Sequence, residues 1–213
     1  MTHAERYTLA GFVAGFRWTS GAPSRPSDPP RGVPTVSDCL ADLLPADQDV
    51  EPWQQPLFQP WHRSLRQAAD AVRHAPADAR VAHVLSMSVA ATEAAELATE
   101  MEGWIGDLAH PVRTNLARPA AAPPGTIHGF EVLGFDTGRF HSWRCYGLDE
   151  QALDRLDIRP GNAGLLTTLD DARRVTDMAN NDRGSRHGTP LDVTWFAALI
   201  AEHPPDLGTD PPR

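Results

Sequence analysis

The sequence predicts an α+β fold: a single mixed β-sheet with helices packed mainly on one face, and Pro-rich N-terminal loops. Three observations carry this expectation. Aromatic and aliphatic residues gather in four separate strand-like stretches. Amphipathic segments with capping residues lie between them. The two kinds of segment do not follow the strict strand–helix–strand rhythm of a parallel sheet. With 213 residues and 41% apolar composition, the chain can bury one sizeable core.

Taken in order, residues 7–18 read as the first strand, broken at Ser20-Gly21. Pro23 to Pro34 is a Pro-, Ser- and Arg-rich linker. Residues 1–34 are therefore an N-terminal strand plus linker, 35–203 an α+β domain, and 204–213 a frayed tail. Thr35 or Ser37 caps a short helix reaching Leu44. Residues 45–60 form a loop pinned by Trp53 and Phe58. A helix over 60–74 stops before Pro76, and 81–87 is a strand. Thr92 opens the clearest helix, to about residue 108. On it Leu97, Met101, Trp104, Ile105 and Leu108 share one arc, and Glu93, Glu96 and Glu100 border it.

Pro119 to Gly125 is the best internal boundary, a place where the domain could subdivide. Residues 127–135 form a strand ending in the Asp136-Thr137-Gly138 turn. Helices follow over 149–156 and from Thr168, whose capping box includes Asp171; Asn180-Asn181-Asp182-Arg183-Gly184 ends the second. Residues 191–201 are apolar on both faces, as a central strand is.

The formal charge is −9, and all nineteen basic residues are Arg. Such a chain gains nothing from phosphate attraction, which argues against nucleic acid, and an anionic membrane repels it. The partner it favours is a basic protein. Two cysteines, Cys39 and Cys145, make no disulfide framework, so a reducing cytoplasm is the simpler setting. No signal peptide or membrane-spanning run is recognised.

Chemistry concentrates in Gly134-Phe-Asp-Thr-Gly-Arg-Phe-His-Ser-Trp-Arg-Cys-Tyr-Gly147. An imidazole beside a thiol lowers its pKa, so Asp136, His141 and Cys145 are the catalytic candidates. The competing reading is a buried, aromatic-rich corner. His128, His141, Cys145 and His187 were weighed as zinc ligands, but no recognised ligand spacing links them, and no metal or cofactor is expected. Nucleotide-loop and hydrolase-elbow motifs are absent. Two base-free acidic runs remain, Asp38 to Glu51 and Glu93 to Asp107. The candidate contact residues are Glu93, Glu96, Glu100 and Trp104, with His141, Trp143 and Arg144 of the corner.

The stretch IHGFEVLGFDTGRFHSWRCYGLDEQALDRLDIRPGNAGLLTTLDDARRV, with the later PLDVTWFAALIAEH, resembles small bacterial proteins of the polymorphic-toxin immunity type. The resemblance covers residues 127–203 and implies a compact, acidic, non-enzymatic α+β protein. It points to no particular residue. The expected function is an acidic binding protein, an immunity- or antitoxin-like inhibitor of a basic partner. The alternative is a small enzyme of specialised metabolism using a His/Cys/Asp site within 128–146.

Overall fold

A computed structural model describes residues 5–17, 33–37, 40, 61–73, 81–105, 111–136, 139–161, 163–184 and 192–204. Six strands are present among the described residues: β1 (Tyr7–Arg17), β2 (Trp61–His62), β3 (Val81–Ala90), β4 (Thr126–Asp136), β5 (Arg139–Ser142) and β6 (Thr194–His203). They form one sheet in the order β2-β1-β3-β6-β4-β5. Every ladder between these strands is antiparallel. The α+β class therefore holds, with an antiparallel sheet where a mixed one was expected. The two unexpected strands, β2 and β5, are too short for a period of two to be read from sequence.

Among the described residues five helices accompany the sheet: α1 (Leu65–Arg73), α2 (Ala94–Ile105), α3 (Pro111–Leu116), α4 (Leu148–Leu156) and α5 (Leu169–Asn181). A 3-10 turn at Trp143–Tyr146 links β5 to α4. On one face, α4 and α5 bury Ala152, Ala172, Val175 and Ala179 against Val132, Trp195 and Ala197. On the same face α1 packs Ala68 and Ala71 on Phe12, Ala14 and Val84. The other face holds the larger core, to which α2 and α3 bring Leu97, Met101, Val112 and Leu116.

The sheet curls around that larger core until its two edges touch. Trp61 of β2 and Phe140 of β5 stand with ring centroids 4.9 Å apart, edge to face. Such a pair contributes roughly 0.5–1.5 kcal/mol beyond its area burial. The curl also needs a covering for its interior, and residues 33–37 provide it without regular structure; Val33 and Val36 pack into the core. The hydroxyls of Thr35 and Ser37, the expected capping residues, bond Glu131 and the Ser142 N–H. Apart from Leu40, the rest of that expected helix, residues 45–60, and the acidic run from Asp38 to Glu51 lie outside the described residues.

The segment 119–125 is tied to the sheet. Leu9 N–H donates to Ala120 O at 2.8 Å, and the His203 ring bonds Pro124 O at 3.2 Å. No helix among the described residues is long and apolar enough to cross a membrane.

Gly129 marks a register shift in the β4–β6 ladder. Its φ is +138°, and a Cβ there would stand 2.5 Å from Leu166 O, the acceptor of the Phe130 N–H. Gly129→Ala should therefore lower stability by about 2 kcal/mol or more. A urea midpoint unchanged from the parent protein would contradict this.

Candidate functional site

Two regions gather polar side chains, and they differ in what they leave open. The first is the β4–β5 hairpin and the turn after it. Asp136 ends β4 and His141 lies on β5, so the tight turn returns the imidazole to the carboxylate. His141 Nε2–H donates to Asp136 Oδ1 at 2.9 Å, with both side chains largely buried. Tyr146 stands edge-on to His141 at 5.7 Å and to Trp195 at 5.5 Å. Burial first, then the charges of Asp136 and Asp192, pushes the Tyr146 hydroxyl up.

The third catalytic candidate is in a different state. Cys145 is disulfide-bonded, and no free cysteine is present among the described residues. A thiolate nucleophile is therefore not available while that bond stands, which corrects the Cys–His expectation. The chain's other cysteine, Cys39, lies outside the described residues. Trp143 is fully buried in the core beneath α4 and offers no contact surface. Arg144 spends one guanidinium nitrogen on Gly164 O at 2.7 Å.

Beside this corner sits a residue the sequence reading missed. Glu131 is 1% exposed on β4, facing the interior of the curl with Leu133 and Phe135. Thr35 Oγ1–H donates to it at 2.7 Å and Val36 N–H at 3.4 Å. Burial raises its carboxyl from 4.5 to about 7, against the opposing pull of bonds from Thr35, Ser142 and Val36 and the charge of Arg144. A signal was available: apolar neighbours on both sides in GFEVLGF leave no solvent face for the glutamate.

The second region is a cleft of about 360 Å³ between α2 and α5, floored by β6. The β3–β6 ladder stops at Ser88↔Leu199, while β6 continues back to Thr194 beside β4. The separation of β3 from β6 opens the cleft. Its far end is closed by a side chain that imitates a strand: Trp195 N–H donates to Asn180 Oδ1 at 3.0 Å, and Asn180 Nδ2 donates to Trp195 O at 2.9 Å. Arg183 fixes that amide by donating to Oδ1 at 2.8 and 3.1 Å.

Three of the predicted contact residues meet here. Glu93, Glu96 and Glu100 all line the cleft, with Asp177 opposite on α5. Glu93 pairs with Arg173 at 2.6 Å, and Glu100 accepts from Thr194 at 2.7 Å. Glu96 and Asp177 are exposed at its rim and engage no cation among the described residues. The Trp104 side chain lies outside the described residues.

The residues weighed as metal ligands are otherwise engaged: His128 bonds Glu202 at 2.8 Å, His141 bonds Asp136, and Cys145 is in its disulfide. His187 lies outside the described residues, and among those described no group of three or more His, Cys, Asp or Glu could hold a metal ion. His203 and Ser86 form a buried 2.8 Å pair, each 1% exposed and so closed to a substrate.

No family model, curated protein or solved structure matches this chain.

Glu131 gives the site a pH signature. Its folded-state pKa lies above its unfolded one, so the folded protein holds the extra proton between about pH 4.5 and 7. Stability should fall as pH rises through that window, by on the order of 3 kcal/mol if this group acts alone. Glu131→Gln, which imitates the protonated form, should flatten the slope in urea unfolding measured from pH 4.5 to 8. An unchanged slope would remove Glu131 as its source.

Proposed function

We propose that this is a non-enzymatic binding protein, an immunity-type inhibitor whose acidic cleft between α2 and α5 receives a basic protein partner. One observation carries the reading. Glutamates from one helix and an aspartate from the facing helix converge on a cleft floored by Trp195 and Phe196. Four carboxylates stand against two guanidinium groups there, and Glu93 already neutralises Arg173. The remaining charge is negative, which speeds and orients docking of a cation. The net charge of −9 acts in the same direction at longer range. The Cys145 disulfide fits an oxidising compartment better than the reducing cytoplasm expected from a count of two cysteines.

The test is titration calorimetry against the product of the neighbouring gene. Binding should weaken with salt. Replacing Glu96 and Asp177 together by Lys should cost at least about tenfold in affinity, with the melting temperature held within a few degrees. No heat of binding, or an affinity untouched by both substitutions, would count against the reading.

A second reading is favoured by the 2.9 Å contact between His141 and Asp136: a small enzyme using that pair as acid and base. It predicts that turnover found in a screen of ester and amide substrates is lost in both His141→Ala and Asp136→Asn. Turnover surviving in either variant would exclude the pair.

A further inference from the structure

The segment that covers the interior of the curl is deeply buried without being part of the sheet. Residues 33–37 have no regular structure, yet Thr35, Val36 and Ser37 are 6%, 0% and 0% exposed. No described strand pairs with them. Thr35 Oγ1–H and Val36 N–H donate to the Glu131 carboxylate, and Ser37 Oγ accepts the Ser142 N–H at 3.0 Å. Ser142 ends β5, the edge strand. Val33 fits against Gly164, where a Cβ would stand 2.7 Å from the valine side chain.

Two terms work against this arrangement. Fixing a stretch of chain outside a ladder costs backbone entropy that no strand pairing offsets. Burial raises the Glu131 carboxyl against the pull of bonds from Thr35, Ser142 and Val36 and of the Arg144 charge, so lifting the segment would let water favour the ionised form.

The turn after β5 supplies a further hold. Cys145 Sγ lies 3.9 Å from Ser37 Oγ, and Cys145 is disulfide-bonded. The sequence contains one other cysteine, Cys39, two residues beyond Ser37. Two residues reach about 7 Å, and a disulfide needs Cα atoms roughly 4.4–6.8 Å apart. A bond between the chain's two cysteines is thus within reach of the segment as it lies. We propose that Cys145 is bonded to Cys39 and that this bond is a redox latch: its reduction by a dithiol releases residues 33–37 from the interior of the curl, and its re-formation closes them down again.

Cys145 is half-buried and not sealed in the core. A thiolate of the dithiol attacks one sulfur of the bond, forms a mixed disulfide and expels the other sulfur as thiolate. The second thiol of the reductant then displaces the first protein sulfur. Two protein thiols and one cyclic disulfide result, with two electrons and two protons passed to the protein. The latch keeps the segment down in an oxidising compartment and frees it in a reducing one. This goes beyond the proposed function and does not depend on what the cleft between α2 and α5 receives.

The test begins with peptide mapping of the unreduced full chain by mass spectrometry, which should find a fragment joining Cys39 to Cys145. Amide exchange is then followed by NMR at about pH 7.5, before and after dithiothreitol. Reduction should lower the protection of the Val36 and Ser142 N–H groups at least about tenfold. Ile200, paired on both sides within the sheet, should keep its protection. Cys39→Ser combined with Cys145→Ser should show the reduced pattern without any dithiol, which separates loss of the bond from other effects of the reductant. Replacing the dithiol by oxidised glutathione should restore protection in the parent protein and not in the double variant. Cys145 bonded to a second copy of the chain would overturn the pairing. Unchanged protection after reduction would show that the segment needs no latch. Loss of protection at Ile200, on reduction or in the variant, would make the bond a staple of the whole fold, and no recovery on reoxidation would rule out a switch.

Discussion

The contact between Asn180 and the main chain of Trp195 governs how β6 can part from β3 and leave a cleft. A central strand leaves its hydrogen-bonding groups paired or exposed to water, and a pair left bare inside a fold costs on the order of 1–3 kcal/mol per group. β6 is paired along β4 but only half paired along β3. Without a substitute, its early residues would either draw β3 inward and close the cleft or remain unsatisfied. The Asn180 carboxamide supplies the substitute at Trp195, and Arg183 holds the carboxamide in place. The strand is thereby satisfied next to the cleft without the cleft being filled.

The curl of the sheet has a comparable dependence on a polar group in an apolar place. Wrapping the sheet until Trp61 meets Phe140 creates an interior that the strands alone do not cover. Residues 33–37 cover it, anchored on the Glu131 carboxylate through Thr35 and Val36 and on Ser142 through Ser37. Burying a carboxylate is costly, and the raised pKa of Glu131 measures that cost. The return is a unique position for the covering segment, since apolar contacts alone would let it slide. The Cys145 disulfide lies at the same end of the molecule, within 3.9 Å of Ser37 Oγ. It ties this corner by chemistry that the carboxylate network does not provide.

Long elements were legible in the sequence, and short or non-local ones were not. The strands at 7–18, 81–87, 127–135 and 191–201 emerge within a few residues of their expected limits, because their apolar runs exceed any accidental pattern. The acidic arc of α2 was readable from 100° spacing, and Glu93, Glu96 and Glu100 do share one cleft. Its facing wall was not readable, because Asp177 and Asn180 are brought opposite by sheet order, which no local pattern encodes. Asn180 belongs to the run expected to stop the helix, and α5 ends one residue later, at Asn181. The second role of Asn180 needs β6, fifteen residues away. Glu131 was passed over as one acid in an apolar strand, although two-sided apolarity marked it. Asp136 and His141 were both noticed, and their contact follows from the hairpin that joins them.

The central claim is that the Asn180 carboxamide takes the place of a strand partner for Trp195 where β3 has left β6. Amide hydrogen exchange of the parent protein and of Asn180→Ala, read residue by residue, tests it most directly. The Trp195 N–H should be strongly protected in the parent and exchange far faster in Asn180→Ala, with the protection of Ile200 retained. Equal, strong protection of Trp195 in both proteins would contradict the claim.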